Sequence, residues 1–362
     1  MLTVHATVGI LSFLLVSGPP AAGGAKNGAA DLERGQKLFR AGDLAGALQA
    51  FDKAGKADAK DPRAPYLRGV VLEKKNDVPG AEKAYREALG RDGKFAPAHN
   101  NLGAILLGKN QLPAAEKEIQ AALSGDPKNA SAAFNLGLLR EAQNQPREAA
   151  VAYRRALRGQ PNDATCHANL CSVLRKLGDL DGALAECRQA ARLSPKSAAV
   201  LTNLGLLLSD KGQFDQAREE LRKATGLDAN FAPAWTGLGR VEQRRKQVGP
   251  AVEALAKAAK LSPKEAGVAA DYCRALVQKD MRAKAALAEC RRAVALDAKN
   301  GLGHYELLKI FVSRGDCASA KTEHGKLSAL STVKPQAKSQ AGEILKTCVS
   351  GKPAKPAGKG RN

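Results

Sequence analysis

Aromatic residues are scarce in this chain of 362 residues: 4% of the total, with one Trp and two Met. A core built on large rings is therefore excluded. Hydrophobic residues still reach 44%, so Ala, Leu and Val carry the apolar content, which suits closely packed helices. After residue 25 no apolar run is long enough to span a bilayer. The short signatures of chemistry are missing too. There is no Cys-x-x-Cys-His, no thioredoxin-like Cys-x-x-Cys, no phosphate-binding glycine loop and no Gly-x-Ser-x-Gly. The chain reads as non-enzymatic, with no cofactor and no metal. Acids are outnumbered, 36 against 57 Lys plus Arg, for a net charge of +21. Such a charge affects solubility and attraction to polyanions but does not define a fold.

What is there begins with a targeting segment. Leu2 to Val16 is apolar, with His5 as its one ionisable side chain, and Gly18-Pro19-Pro20 and a small-residue run to Ala25 follow. This suits a secretory signal over residues 1–25, cleaved between Ala22 and Ala25, although no Lys or Arg precedes the apolar run. The expected location is periplasmic or extracellular. A retained signal anchor that tethers the chain to a membrane is the alternative.

One pattern then fills the chain. Ala47, Ala81, Ala115, Ala149, Ala183, Ala217 and Ala251 each lie 34 residues after the last; Ala286 and Ala320 continue after one extra residue. A second alanine follows seven residues later from Ala54 to Ala293, and Gly35, Gly69, Gly103, Gly137, Gly205 and Gly239 stand twelve residues before the first. A fixed period of this length marks stacked supersecondary units. Each unit predicts two short amphipathic helices, A and B, with Gly at their closest approach. In the fifth unit A covers 164–177 and B covers 181–193. No unit buries its apolar face alone, so the units stack.

Within one unit, Ala96-x2-His99-x2-Leu102-Gly103, then Ala115, Ile119, Ala122 and Pro127, carries a recognisable order of small and large positions. In this the chain resembles the tetratricopeptide repeat family over about residues 28–330. The resemblance implies an all-α, right-handed superhelical solenoid of about nine helix-turn-helix units (26–330). A capping helix (331–349) and a disordered basic tail (350–362) complete the expected layout. Arg34 and Arg68 depart from the pattern in the usual Leu slot, as does the ninth unit with Leu308, His324 and Leu327.

The cysteines follow the repeat. Cys171 takes the Gly slot and Cys187 the wedge slot of unit five, and Cys273 and Cys290 do the same in unit eight. In an antiparallel helix pair these slots face each other. Cys317 begins a B helix and Cys348 ends the capping helix, so packing brings them together as well. Three disulfides are expected, Cys171–Cys187, Cys273–Cys290 and Cys317–Cys348, as an oxidising compartment permits. The alternative is that Cys serves as a small hydrophobe. Cys166 is left over, and a redox role for it is a third and weaker reading of function. His99, His167 and His304 share one slot, which repeat packing explains. Cys166, His167, Cys171 and Cys187 have the chemistry of a zinc set, but Ala269 replaces the His in unit eight, so the cysteine pair needs no metal.

With Ala96 as slot one, slot six of the A helices reads Asn101, Asn135, Asn169 and Asn203, and slot nine reads Ala104, Leu138, Ser172 and Leu206. Helical spacing puts both on the inner face. An amide row beside apolar neighbours can hold an extended peptide; the alternative is that Asn is simply common in this slot. Lys176, Arg240, Arg244 and Arg274 add positive charge, interrupted by Asp210 and Asp271, and suggest a partner with an acidic segment. The expected partner is a protein or peptide. Basic B-helix faces such as Arg154-Arg155-Arg158 offer the alternative of a polyanion. No aromatics interleave with them, so sequence-specific nucleic-acid binding is not expected.

Overall fold

A computed structural model describes residues 26–350. The chain divides between Leu193 and Ser194 into two compact bodies. In the first, five hairpins follow one another: α1 (Lys26–Arg40) with α2 (Leu44–Ala57), α3 (Arg63–Lys74) with α4 (Val78–Arg91), α5 (Ala96–Gly108) with α6 (Leu112–Gly125), α7 (Ala130–Ala142) with α8 (Pro146–Gly159), and α9 (Ala164–Leu177) with α10 (Leu180–Leu193). The second holds α11 (Ala198–Asp210) with α12 (Phe214–Leu227), α13 (Ala232–Arg244) with α14 (Val248–Leu261), α15 (Ala266–Lys279) with α16 (Lys284–Leu296), and α17 (Gly301–Ser313) with α18 (Cys317–Ala329). Helix α19 (Pro335–Ser350) closes it. Among the described residues there is no strand. The expected signal over 1–25 lies outside the described residues. So does the expected tail, except that Ser350 still belongs to α19.

The turns explain why the hairpins form. Gly42, Asn76, Asn110, Asn144, Gly178 and Gly212 each take a left-handed φ, between 57° and 83°, one repeat apart. Gly and Asn are the residues that adopt it at least cost. An Asp follows at three of them, and its carboxylate caps the B helix. Asp43 accepts from the Gly46 N–H at 2.8 Å, Asp77 from Gly80 at 3.0 Å and Asp179 from Gly182 at 2.9 Å. Several B helices, α2, α4 and α6 among them, end on another Asp, whose carboxylate folds the next turn. Asp58, Asp92 and Asp126 each accept from the N–H two residues on, at 2.9–3.1 Å.

The periodic residues form the seams. All nine alanines from Ala47 to Ala320 are fully buried, 0% exposed. The Gly slot is closed by the wedge residue sixteen positions later. A Cβ built on Gly69 would lie 2.5 Å from the Tyr85 ring, one on Gly137 2.4 Å from Tyr153, and one on Gly239 2.4 Å from Leu255. In the fifth and eighth hairpins two cysteines share that space instead: Cys171 is bonded to Cys187 and Cys273 to Cys290, with Cα separations of 5.3 and 4.9 Å. In the ninth, Leu308 fills the Gly slot, and Leu308, Leu327 and Ala341 make a small core that α19 covers. Cys317 at the start of α18 is bonded to Cys348 near the end of α19.

Candidate functional site

The A helices place slots six, nine and thirteen on one face of each body. In the first body the slot-six amides are less open than their own helices suggest. Asn101 donates from Nδ2 to the Tyr85 hydroxyl at 3.1 Å and accepts from Asn100 at 2.9 Å. Asn135 is buried and donates to Asn100 Oδ1 at 2.9 Å. Asn169, also buried, lies beside the Tyr153 hydroxyl. The reason is the neighbouring hairpin: Asn101 and Asn169 lie against the wedge Tyr of the unit before, and Asn135 against Asn100 of that unit's A helix. The row exists as a register, but Asn101 and Asn135 tie repeats together and Asn169 is buried. Asn203, in the second body, is half-buried and makes no hydrogen bond among the described residues. Leu138 and Leu206 are half-buried too, while Ala104 is buried.

Each of those tyrosines also serves a carboxylate. Tyr85 donates to Glu73, and Tyr153 donates to Glu141 at 2.9 Å. Burial, and then the nearby Glu, push both phenols well above their ordinary range. Tyr66 beside Tyr85 is pushed up to about 12 by burial and then by Glu73. Lys176, expected as a free groove cation, is instead paired with Glu141 at 2.8 Å.

In the last two hairpins of the second body, slot six carries acids in place of Asn. Asp271 and Glu306 are buried, at 5% and 3% exposed, and a buried carboxylate requires a partner. Arg240 in slot nine bonds Asp271 at 2.6 Å. Arg274 approaches Glu306 to 3.9 Å, and Lys309 bonds it at 2.7 Å. Asp271 therefore does not interrupt a positive patch but holds its main member. Arg244 alone of the three arginines is exposed without an ion pair among the described residues.

The histidines close loops. His99, His167 and His304 contact Glu118, Glu186 and Glu323 through Nδ1 at 2.5–2.6 Å, nineteen residues on in each case. Through Nε2 they contact the carbonyls of Gly93, Pro161 and Ala298 at 2.9–3.0 Å. Trp235, in the same slot, donates to Ala229 O at 3.0 Å. Both ring nitrogens of His167 are thus engaged and Cys171 is bonded to Cys187, so the zinc set is not assembled. Cys166 is buried against Tyr153 O at 3.5 Å. Burial pushes its thiol well above the ordinary range, which disfavours the reactive thiolate. The recurrent spacings that could have revealed these contacts are Glu-x11-Tyr-x15-Asn at Glu73 and Glu141 and His-x18-Glu at the histidines.

Models described as tetratricopeptide repeat match residues 32–99, 100–164, 134–198 and 174–241. No curated protein matches the sequence. Among solved structures, the crystal structure of the APC/C hetero-tetramer Cut9–Hcn1 is similar at a TM-score of 0.61 and 15% identity, over 89% of this chain and 76% of that one. A tetratricopeptide repeat protein from Parabacteroides merdae ATCC 43184 is similar at 0.55 and 18%, over 70% and 98%. YrrB, a TPR protein with an unusual peptide-binding site, is similar at 0.46 and 24%, over 55% and 98%.

Proposed function

The chain belongs to the tetratricopeptide repeat family, and from that premise we propose that it is a non-enzymatic, exported scaffold. It holds a protein or extended peptide against its A-helix face and serves the assembly or secretion of a cell-envelope complex. The carrying observation is slot nine, taken in each body by itself. Leu138 in the first body and Leu206 in the second stay half-buried and apolar beside amides that are fixed or unfilled. Fixed polar groups next to open apolar positions suit a peptide backbone with alternating side chains. The three cysteine pairs support an oxidising compartment.

An acidic segment in the partner gains little, because Arg240 and Arg274 already face Asp271 and Glu306. Nor is a polyanion favoured. Arg155 donates to Pro127 O at 2.6 Å and Arg218 to Glu242 at 2.9 Å, so part of the basic B-helix charge closes the protein's own contacts.

The test uses slot nine and spares the structural amides. Leu138→Asp and Leu206→Asp, purified separately, should keep the helical circular dichroism of the parent and lose partner capture from the native envelope fraction by about tenfold, as loss of an apolar anchor implies. Undiminished capture by both variants would remove the A-helix face from consideration.

A further inference from the structure

The first body contains two copies of one cluster, 68 residues apart, and the copies differ in one ring, Tyr66 against Phe134, and in a cation that, among the described residues, only the second holds. The second copy joins Glu141, Phe134, Tyr153 and Asn169. The rings of Phe134 and Tyr153 lie 5.6 Å apart. Glu141 accepts the Tyr153 hydroxyl on Oε2 and Lys176 Nζ on Oε1, at 2.9 and 2.8 Å. The first copy joins Glu73, Tyr66, Tyr85 and Asn101, with the two tyrosine rings 5.7 Å apart. Glu73 accepts the Tyr85 hydroxyl on Oε2. Its counterpart to Lys176, 35 residues on, is Gly108, and a Cβ there would meet nothing within 4 Å. No cation pairs with Glu73 among the described residues, and Lys109, next along, is held by Glu82. Burial raises the Glu73 carboxyl above its ordinary range.

We infer that Glu73, Tyr66, Tyr85 and Asn101 form a seat for one lysine side chain of the bound peptide, the place that Lys176 fills from within the chain at the second copy. The inference rests on the peptide-binding reading above and names one side chain of that peptide. Lysine suits the seat better than arginine. One carboxylate oxygen is taken by the tyrosine hydroxyl in both copies, so a point charge fits the other oxygen, whereas a guanidinium binding both would displace the hydroxyl. Tyr85 is fully buried, so the half-buried Tyr66 ring is the one that can take the alkyl stem. The ion pair so formed relieves a partly buried, uncompensated carboxylate.

The experiment titrates the full chain with three capped pentapeptides, Ala-Ala-X-Ala-Ala with X as lysine, norleucine or arginine. NMR follows the Asn101 side-chain amide and the Leu138 methyls. The lysine peptide should move the Asn101 signal and the norleucine peptide should not. Glu73→Gln should weaken the lysine response about tenfold, the scale of one charge-assisted contact. Gly108→Lys should abolish it by filling the seat from within, at an exposed position with room for a side chain. Lys176→Ala should create a matching response at Asn169. Equal Asn101 shifts with norleucine, or a Gly108→Lys protein that responds like the parent, would overturn the seat. Leu138 methyls that move with all three peptides while Asn101 stays still would keep the peptide face and reject the lysine. The reverse pattern would keep the lysine seat and reject the peptide face, and silence at both would reject both.

Discussion

Gly137→Ala should destabilise the protein by about 2–3 kcal/mol, the upper part of the range for overpacking a closed core. The new Cβ would stand 2.4 and 2.5 Å from two carbons of the Tyr153 ring. That ring cannot retreat. It is 0% exposed, and its hydroxyl is held by Glu141. The same change at Gly90, on α4 with nothing within 4 Å, should stabilise by about 0.5–1 kcal/mol through helix propensity. Urea denaturation with unchanged m-values checks both. Pairing Gly137→Ala with Tyr153→Ala should recover part of the loss as a coupling term of about 1 kcal/mol or more, since the two side chains compete for one space. Strict additivity would mean that the crossing is looser than described.

Removing the bridge at the fifth crossing is the other large effect. Cys171→Ser with Cys187→Ser opens a loop of 16 residues and should cost about 3 kcal/mol. The same change at Cys273 and Cys290 should cost a similar amount, about 3 kcal/mol. Both pairs are buried, at 0–1% exposed, so unpaired hydroxyls would add to the loss. Under denaturing conditions without reductant, thiol titration should find one reactive cysteine, Cys166, and seven after reduction. Seven from the start would show that the cysteines act only as small core residues.

Much of this architecture is legible in the sequence, because it depends on residues that repeat. The alanines, the Gly slots and the cysteines that replace Gly and wedge together all sit at fixed positions in the period, and α9 covers the residues that the pattern assigned. The site was less legible. A helical wheel shows which side of its own helix a residue occupies, so Asn135 and Asn169 were expected on an open face. What covers them is Asn100 and Tyr153, on the preceding hairpin. Asp271 likewise reads as a break in a basic surface from the sequence, and Glu306 does not stand out there at all. Their burial, and the Arg and Lys drawn to them, follow from contacts between hairpins that one helix's periodicity does not encode.

The central claim is that the A-helix face receives the partner. Photo-crosslinking compares it directly with the opposite face. A benzophenone amino acid is placed at Leu138 in slot nine, or at Val151 on α8, which is 65% exposed. Each protein is then irradiated in its native envelope fraction. A discrete adduct is expected from position 138, diminished by excess unlabelled chain, and none from position 151. An adduct from 151 with none from 138 would place the partner on the B helices and contradict the account.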